Sequence, residues 1–293
     1  MGTVSTQDPD RDKVIINSLL RGDNPWLIFP EGQMIKDKKV IDAPGVYSVY
    51  NRGIRRPPHR GAAVLAMLTE YYRYRLRCQC ESGDTEKLDA LKAQFELDDL
   101  GPVLHKRTVI VPINITYFPI RARENVMLRM ATSFARGEMS PRAIEELSVE
   151  GTFLSSDTTI DISLGEPIDI NSYLSRPEFR ELLECDREDL LLSHDPDSTF
   201  TQAAEQLTRR YMDAIYQLTS INYDHIFATI IRFQGTKPFT ERRYRNRIYL
   251  VAHELNRRGQ YHLNEDLRTT YRQIIFEDPS EEFHNFMELC IKE

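Results

Sequence analysis

The sequence predicts an α/β protein, a sheet flanked by helices, followed by an all-helical C-terminal region. Two observations carry that reading. Apolar runs at Trp26–Phe29, Thr108–Phe118 and Thr159–Leu164 read as strands: the first as a short buried one, the second by its β-branched and aromatic content, the third by alternation. Helical spacing separates and flanks these runs, and strands alternating with helices are the pattern of a layered α/β sheet.

In chain order, Asp10 or Asp12 caps a helix running to about Leu20, and Arg21-Gly22-Asp23-Asn24-Pro25 then forms a turn. The strand at Trp26–Phe29 stops at Pro30, which has no N–H for a ladder, and delivers Glu31 and Gly32 into a loop. In α/β proteins ligands collect at that end of a strand. A basic, irregular stretch follows, with Lys36, Lys38, Lys39, Arg52, Arg55, Arg56 and Arg60. From Ala62 to about Arg77, Leu65, Leu68, Tyr72 and Leu76 recur at helical spacing, and a more polar helix follows over Thr85 to Leu97. Phe200, Ala204, Leu207, Tyr211, Ile215 and Leu218 mark a long helix from Ser198 that closes the first domain. After Ser220 only helical periodicity remains, at about Asp224 to Phe233, Thr240 to Arg257, Leu263 to Phe276 and Pro279 to Ile291. The expected division is therefore a domain over residues 1–220 and a helical region over 221–293.

Composition narrows the function classes. Among 293 residues, 41% are hydrophobic and 28% charged, which excludes a disordered chain. The 38 lysines and arginines stand against 45 aspartates and glutamates, a net charge of −7, so no global field attracts nucleic acid and no nucleic-acid partner is expected. The longest apolar stretch, Val109 to Ile120, is broken by Pro112, Asn114 and Pro119 and falls short of the roughly 20 residues of a spanning helix. The N-terminus shows no basic start followed by an apolar run, so it reads as no secretory signal and the expected location is the cytoplasm. Cys78, Cys80, Cys185 and Cys290 are too scattered for a disulfide framework, and Cys78-x-Cys80 lacks a second ligand pair, so no metal is expected. Residues 232–258 hold eight arginines and lysines against two glutamates, a net of +6. That is either a solvated face balanced by the acidic run near Glu178 to Asp197 or a surface for anionic lipid headgroups.

Phe29-Pro30-Glu31-Gly32, after a short apolar run, resembles a motif of the glycerolipid acyltransferases, the family of the glycerol-3-phosphate and 1-acylglycerol-3-phosphate acyltransferases. Three further segments resemble that family in the same order: Pro58-His59-Arg60-Gly61-Ala62-Ala63, Val111-Pro112-Ile113-Asn114-Ile115, and Ile160 to Ile168 with the turn Gly165-Glu166-Pro167. The resemblance covers roughly residues 2–220. It implies the transfer of an acyl group, in phospholipid synthesis, from a coenzyme A or acyl-carrier-protein thioester to a hydroxyl of a glycerol phosphate or lysophospholipid. No cofactor is implied beyond that thioester co-substrate, and work on lipid places the protein either free in the cytoplasm or peripherally on a membrane. An anionic membrane surface is a partner on the lipid-headgroup reading of residues 232–258.

The residues implied to bind substrate are Arg11, Phe29, Pro30, Glu31, Gly32, Lys36, Arg60 and Pro112. A guanidinium binds phosphate bidentately, which suits Arg11 to a phosphate clamp, although Arg11 reads equally as a surface residue among Asp8, Asp10 and Asp12. Glu31 orients that arginine or the glycerol hydroxyls, and Gly32 lets backbone approach the ligand. The family commonly follows this glycine with Thr-Arg, where this chain has Gln33-Met34, and Lys36 or an arginine of the 52–60 loop takes the missing contact. Pro112 either shapes the acyl groove or ends a buried strand.

The family's base is a histidine in a His-x4-Asp motif, and here the pattern departs. None of His59, His105, His194, His225, His253, His262 and His284 has an acid five residues later. The dyad belongs upstream of Phe29, and Gly2-Thr3-Val4 resembles the start of the segment after it, so a missing N-terminal portion is preferred over true loss. No catalytic residue is therefore assigned, and the chain alone is expected to be inactive. The alternative is a non-catalytic lipid- or partner-binding relative that keeps the clamp without the base.

Overall fold

The computed structural model describes residues 4–5, 8–32, 41–43, 46–51, 54–118, 159–179, 198–235, 238, 240–276, 283–284 and 286–288. It mixes helices with short strands, and each described strand pairs antiparallel with one other. The chain divides into two compact units, Met1–Pro112 with Gly165–Ile215 and Ile113–Leu164 with Tyr216–Glu293.

The first unit opens with α1 (Arg11–Arg21), which starts after Asp10 and ends at Gly22, a left-handed C-cap whose N–H bonds the Ser18 carbonyl. Two small ribbons follow, β1 (Ile41–Ala43) with β2 (Val46–Tyr47), and β3 (Val49–Asn51) with β4 (Ile54–Arg56). The centre is α2 (Gly61–Ser82), longer at both ends than the periodicity indicates, which buries Leu65, Met67, Leu68, Tyr71, Tyr72 and Leu76. Ile15, Ile16 and Leu20 of α1 belong to the same core. Then come α3 (Thr85–Gln94), α4 (Leu100–His105), and β5 (Val109–Ile110), which pairs with β8 (Ile168–Asp169). The unit closes with α5 (Ile170–Leu174) and α6 (Thr199–Gln217).

Inside this apolar core lies an ion pair. Arg73 and Glu70, 1% and 4% exposed, pair across one turn of α2. Arg73 also donates to the carbonyls of Leu19 (3.2 Å) and Val103 (2.9 Å) and to the Thr108 hydroxyl (2.8 Å), while Glu70 accepts the Thr108 N–H at 2.6 Å. The pair thereby ties α2 to α1, α4 and the start of β5. Burial pulls the Arg73 guanidinium down and Glu70 pushes it back up. A buried charge is stable in such a position only when it is paired and its donors are satisfied.

The second unit pairs β6 (Ile113–Phe118) with β7 (Thr159–Leu164) in a regular antiparallel register from Ile113 opposite Leu164 to Phe118 opposite Thr159. Its helices are α7 (Tyr223–Gln234), α8 (Glu241–Arg258), α9 (Glu265–Thr269) and α10 (Gln273–Phe276). Ile226, Phe227, Tyr244, Ile248, Leu267 and Phe118 of β6 share one core, and the Tyr244 hydroxyl donates to the Phe227 carbonyl at 2.8 Å. The single helix expected over Leu263 to Phe276 is two. The hydroxyls of Thr269 and Thr270 bond back to the carbonyls of Glu265 and Asp266, which favours a break there. One residue pair after Ser220, Ile221 with Leu263, forms a parallel bridge. The acidic run of residues 180–197 and most of the last expected helix lie outside the described residues.

Two expected strands are corrected and a third is borne out. The run Thr108–Phe118 is broken at Val111-Pro112 into β5 and β6, which pair with different strands. Trp26–Phe29 forms no strand, and Leu27, Ile28 and Phe29 are 65%, 37% and 59% exposed. Pro25 and Pro30 bracket four residues that find no ladder partner, and an apolar run without one cannot be a buried strand. The strand over Thr159–Leu164 forms as its alternation indicates, with its apolar face outward: Ile160, Ile162 and Leu164 are 54%, 61% and 65% exposed. The opposite face carries the hydrogen bonds, from the Asn264 amide to Asp161 (3.1 Å) and from the Ser220 N–H to Thr116 of β6 (3.3 Å). Among the described residues no helix is long and apolar enough to cross a membrane.

Candidate functional site

Within the first unit, Phe29-Pro30-Glu31-Gly32 is a β-turn closed by the Gly32 N–H on the Phe29 carbonyl at 3.0 Å. Proline at its second position and glycine at its fourth suit that geometry. Gly32 has φ +67°, a left-handed conformation that side chains disfavour. A Cβ there would meet His59 Nε2 at 3.1 Å and Arg56 Nη2 at 3.2 Å.

The turn is fastened to residues far along the chain. The His59 N–H donates to the Pro30 carbonyl at 2.8 Å, and Arg56 Nη2 donates to the Glu31 carbonyl at 2.7 Å. The segment 56–60 leads straight into α2, whose first turn has no side-chain cap from Arg60. Its leading N–H groups and dipole favour an anion at that end. Phe29 is exposed, Pro30 buried, Glu31 half-buried and Gly32 exposed.

Helix α6 supplies the wall. The Tyr211 hydroxyl donates to the His59 carbonyl at 3.2 Å, and Glu205 pairs with Arg60 at 2.9 Å with both side chains about half exposed. Burial raises the Tyr211 phenol, the Thr208 hydroxyl lowers it, and the nearby Glu31 carboxylate raises it further. Two residues after Tyr211, Asp213 accepts the Tyr47 hydroxyl of β2, and burial followed by that bond raises the Tyr47 phenol far above its usual range. Desolvation and then the Arg56 charge lower the His59 imidazole, so it is neutral near pH 7. A neutral imidazole beside Arg56, the Glu205-paired Arg60 and a helix start without a side-chain cap makes a donor-rich surface chemically suited to an anion.

Of the residues expected to bind substrate, the fold brings Phe29, Pro30, Glu31, Gly32 and Arg60 together. It does not join Arg11 to them among the described residues: that guanidinium pairs with Asp12 at 2.7 Å in the first turn of α1. Pro112 is buried between β5 and β6, where its carbonyl accepts the Gly165 N–H at 2.9 Å, and no hydrogen bond links it to the turn. Lys36 lies outside the described residues. Sequence reasoning left Arg56 unspecified among the loop arginines and read Tyr211 only as an apolar helix position. Glu205 and Asp213 carried no signal, since each is an ordinary polar residue of an amphipathic helix.

Among the described residues no group of three or more histidines, cysteines, aspartates or glutamates is placed to hold a metal ion. No family profile, curated protein or solved structure matches this chain.

Proposed function

We propose that this protein serves glycerolipid acyl transfer. On this reading it binds a glycerol phosphate or lysophospholipid whose hydroxyl takes an acyl group from a coenzyme A or acyl-carrier-protein thioester. The observation that supports it best is the meeting of two motifs some 25 residues apart, the Pro30 and Glu31 carbonyls held by His59 and Arg56 at the start of α2. Arg56, Arg60 and the leading amides of α2 face the phosphate, and Glu31 orients the glycerol hydroxyls. The fold proposed for the family-like portion is a glycerolipid-acyltransferase-like sheet flanked by helices.

In the reaction, the acceptor oxygen attacks the thioester carbonyl carbon, the C–S bond breaks, and the thiol leaves with the hydroxyl proton. A positioned base contributes typically about 10²–10⁴-fold to such a step. No histidine of the 293 residues has the acid five positions on that would orient it. That same observation favours a second reading, a non-catalytic lipid- or partner-binding domain.

Calorimetric titration with glycerol 3-phosphate and a labelled acyl-coenzyme A transfer assay separate the two. The expected result is binding without turnover by the chain alone, and turnover once a segment carrying His-x4-Asp is supplied. Under those conditions Glu31→Gln should impair transfer with little change in thermal stability. Absence of glycerol 3-phosphate binding would remove the clamp, and failure of the added segment to give transfer would leave the binding-domain reading. Robust transfer by the chain alone would place the base within it, with His59→Ala as the first variant to measure.

A further inference from the structure

In the second unit, α7 and α8 expose cations and large apolar side chains side by side. Helix α8 buries Tyr244, Ile248 and Ala252, while Arg242, Arg243, Leu250, Arg257 and Arg258 are exposed. Phe233, at the end of α7, is 88% exposed and Leu250 61%. The two helices are fixed to each other there, since Gln234 of α7 accepts a hydrogen bond from Arg247 of α8. Leu250, Val251, Leu255 and Tyr261 line a shallow hollow of about 270 Å³ flanked by Glu254 and Arg258.

Among the described residues the charge on this face is only partly paired. Residues 232–258 carry eight cations against two glutamates, a net of +6 in a chain of net −7. Glu241 pairs with Arg245 at 3.7 Å. Glu254 is held by Arg257 at 2.7 Å and Arg258 at 2.8 Å, and those bonds keep its carboxyl down at about 2. Arg232, Arg242 and Arg243 make no ion pair with any described residue. Exposed Phe233 and Leu250, each next to or one turn from the residues that join the two helices, add large apolar surface to the cations. A surface for single-stranded nucleic acid would line up aromatic rings for successive bases, whereas Phe233 is joined here by the aliphatic Leu250 and Val251. Cations mixed with apolar side chains suit the boundary between lipid phosphates and acyl chains.

We propose that this face of α7 and α8 docks the protein on an anionic lipid bilayer, with Arg232, Arg242 and Arg243 on headgroup phosphates and Phe233 and Leu250 in the acyl boundary. The proposal rests on surface residues of the second unit and stands whether or not the first unit takes part in acyl transfer. The test is flotation of the full chain with vesicles of phosphatidylcholine alone or of phosphatidylcholine with phosphatidylglycerol, across a salt series. Binding should require phosphatidylglycerol and weaken as salt rises. At about 1 kcal/mol for each cation near the surface, Arg242→Gln with Arg243→Gln should weaken binding roughly 30-fold, and Arg232→Gln alone about 5-fold. Phe233→Ser with Leu250→Ser should abolish the binding that persists in high salt. Circular dichroism checks that each variant folds, and the Arg232 variant keeps the test in force if the double variant does not. Equal flotation with neutral vesicles, no flotation at all, unchanged binding by the arginine variants, or tighter binding to single-stranded RNA than to the anionic vesicles would each overturn the proposal.

Discussion

Gly32 is where the candidate site is most sensitive to a single methyl group. At φ +67° an alanine pays the left-handed penalty, about 1–2 kcal/mol, whatever space surrounds it. Its Cβ would also sit 3.1–3.2 Å from the His59 ring and the Arg56 guanidinium. Both are side-chain ends, able to shift by a few tenths of an ångström, so the contact should add little to the stability cost. It should, however, displace Arg56 and His59, the two groups placed at the proposed phosphate site. Gly32→Ala is therefore expected to lower the thermal midpoint by roughly 2–4 °C for each kcal/mol lost, and to weaken glycerol 3-phosphate binding as well. Gly61→Ala is the internal control, because a Cβ at Gly61 meets nothing within 4 Å and alanine suits a helix. Scanning calorimetry and ligand titration on both variants decide the matter. A Gly32→Ala protein that melts and binds like wild type, or a Gly61→Ala protein that suffers equally, would refute the reasoning.

Arg73→Met should be among the most destabilising single changes in the first unit, by about 3–5 kcal/mol in denaturant titration, because it strands Glu70, the Leu19 and Val103 carbonyls and the Thr108 hydroxyl in the core. Adding Glu70→Leu should cost less than the two single effects combined, since the buried carboxylate leaves with its partner. For His59 the folded state holds the imidazole below its ordinary value of 6.5, so the unfolded chain binds more protons in the window just below 6.5. Its contribution to stability is present above 6.5 and is lost as pH falls through the folded-state midpoint. Proton NMR should place that midpoint below 6.5, and His59→Asn should remove the corresponding slope of stability with pH.

Local chemistry made much of this protein readable from its sequence. The 3.6-residue spacing of Leu65, Leu68, Tyr72 and Leu76 indicates α2, and that of Tyr244, Ile248, Val251 and Leu255 indicates α8, because a helix buries its apolar face, although Val251 at the edge of that face stays exposed. The expected start at Thr240 holds to within a residue, because that threonine caps α8, its hydroxyl accepting the Arg243 N–H at 3.3 Å. Pro30 followed by Glu31 and Gly32 indicated a turn from backbone sterics alone, and the turn is there.

Tertiary structure decided the rest. Alternation placed Ile160, Ile162 and Leu164 on one face of β7, but period determines which residues share a face and not which face finds a partner. The polar side took the hydrogen bonds of the second unit. Trp26–Phe29 has the composition of a buried strand, yet strand formation needs a neighbour's backbone, which a local window of sequence does not contain. Arg73 reads as one more surface cation of α2, and only the convergence of Leu19, Val103 and Thr108 on its guanidinium makes its burial affordable. The candidate site divides in the same way: the order of its motifs was visible along the chain. That Arg56 and His59 clasp the carbonyls of the Pro30-Glu31 turn, while Tyr211 and Glu205 close on them from α6, depends on contacts up to 152 residues apart, which no local pattern encodes.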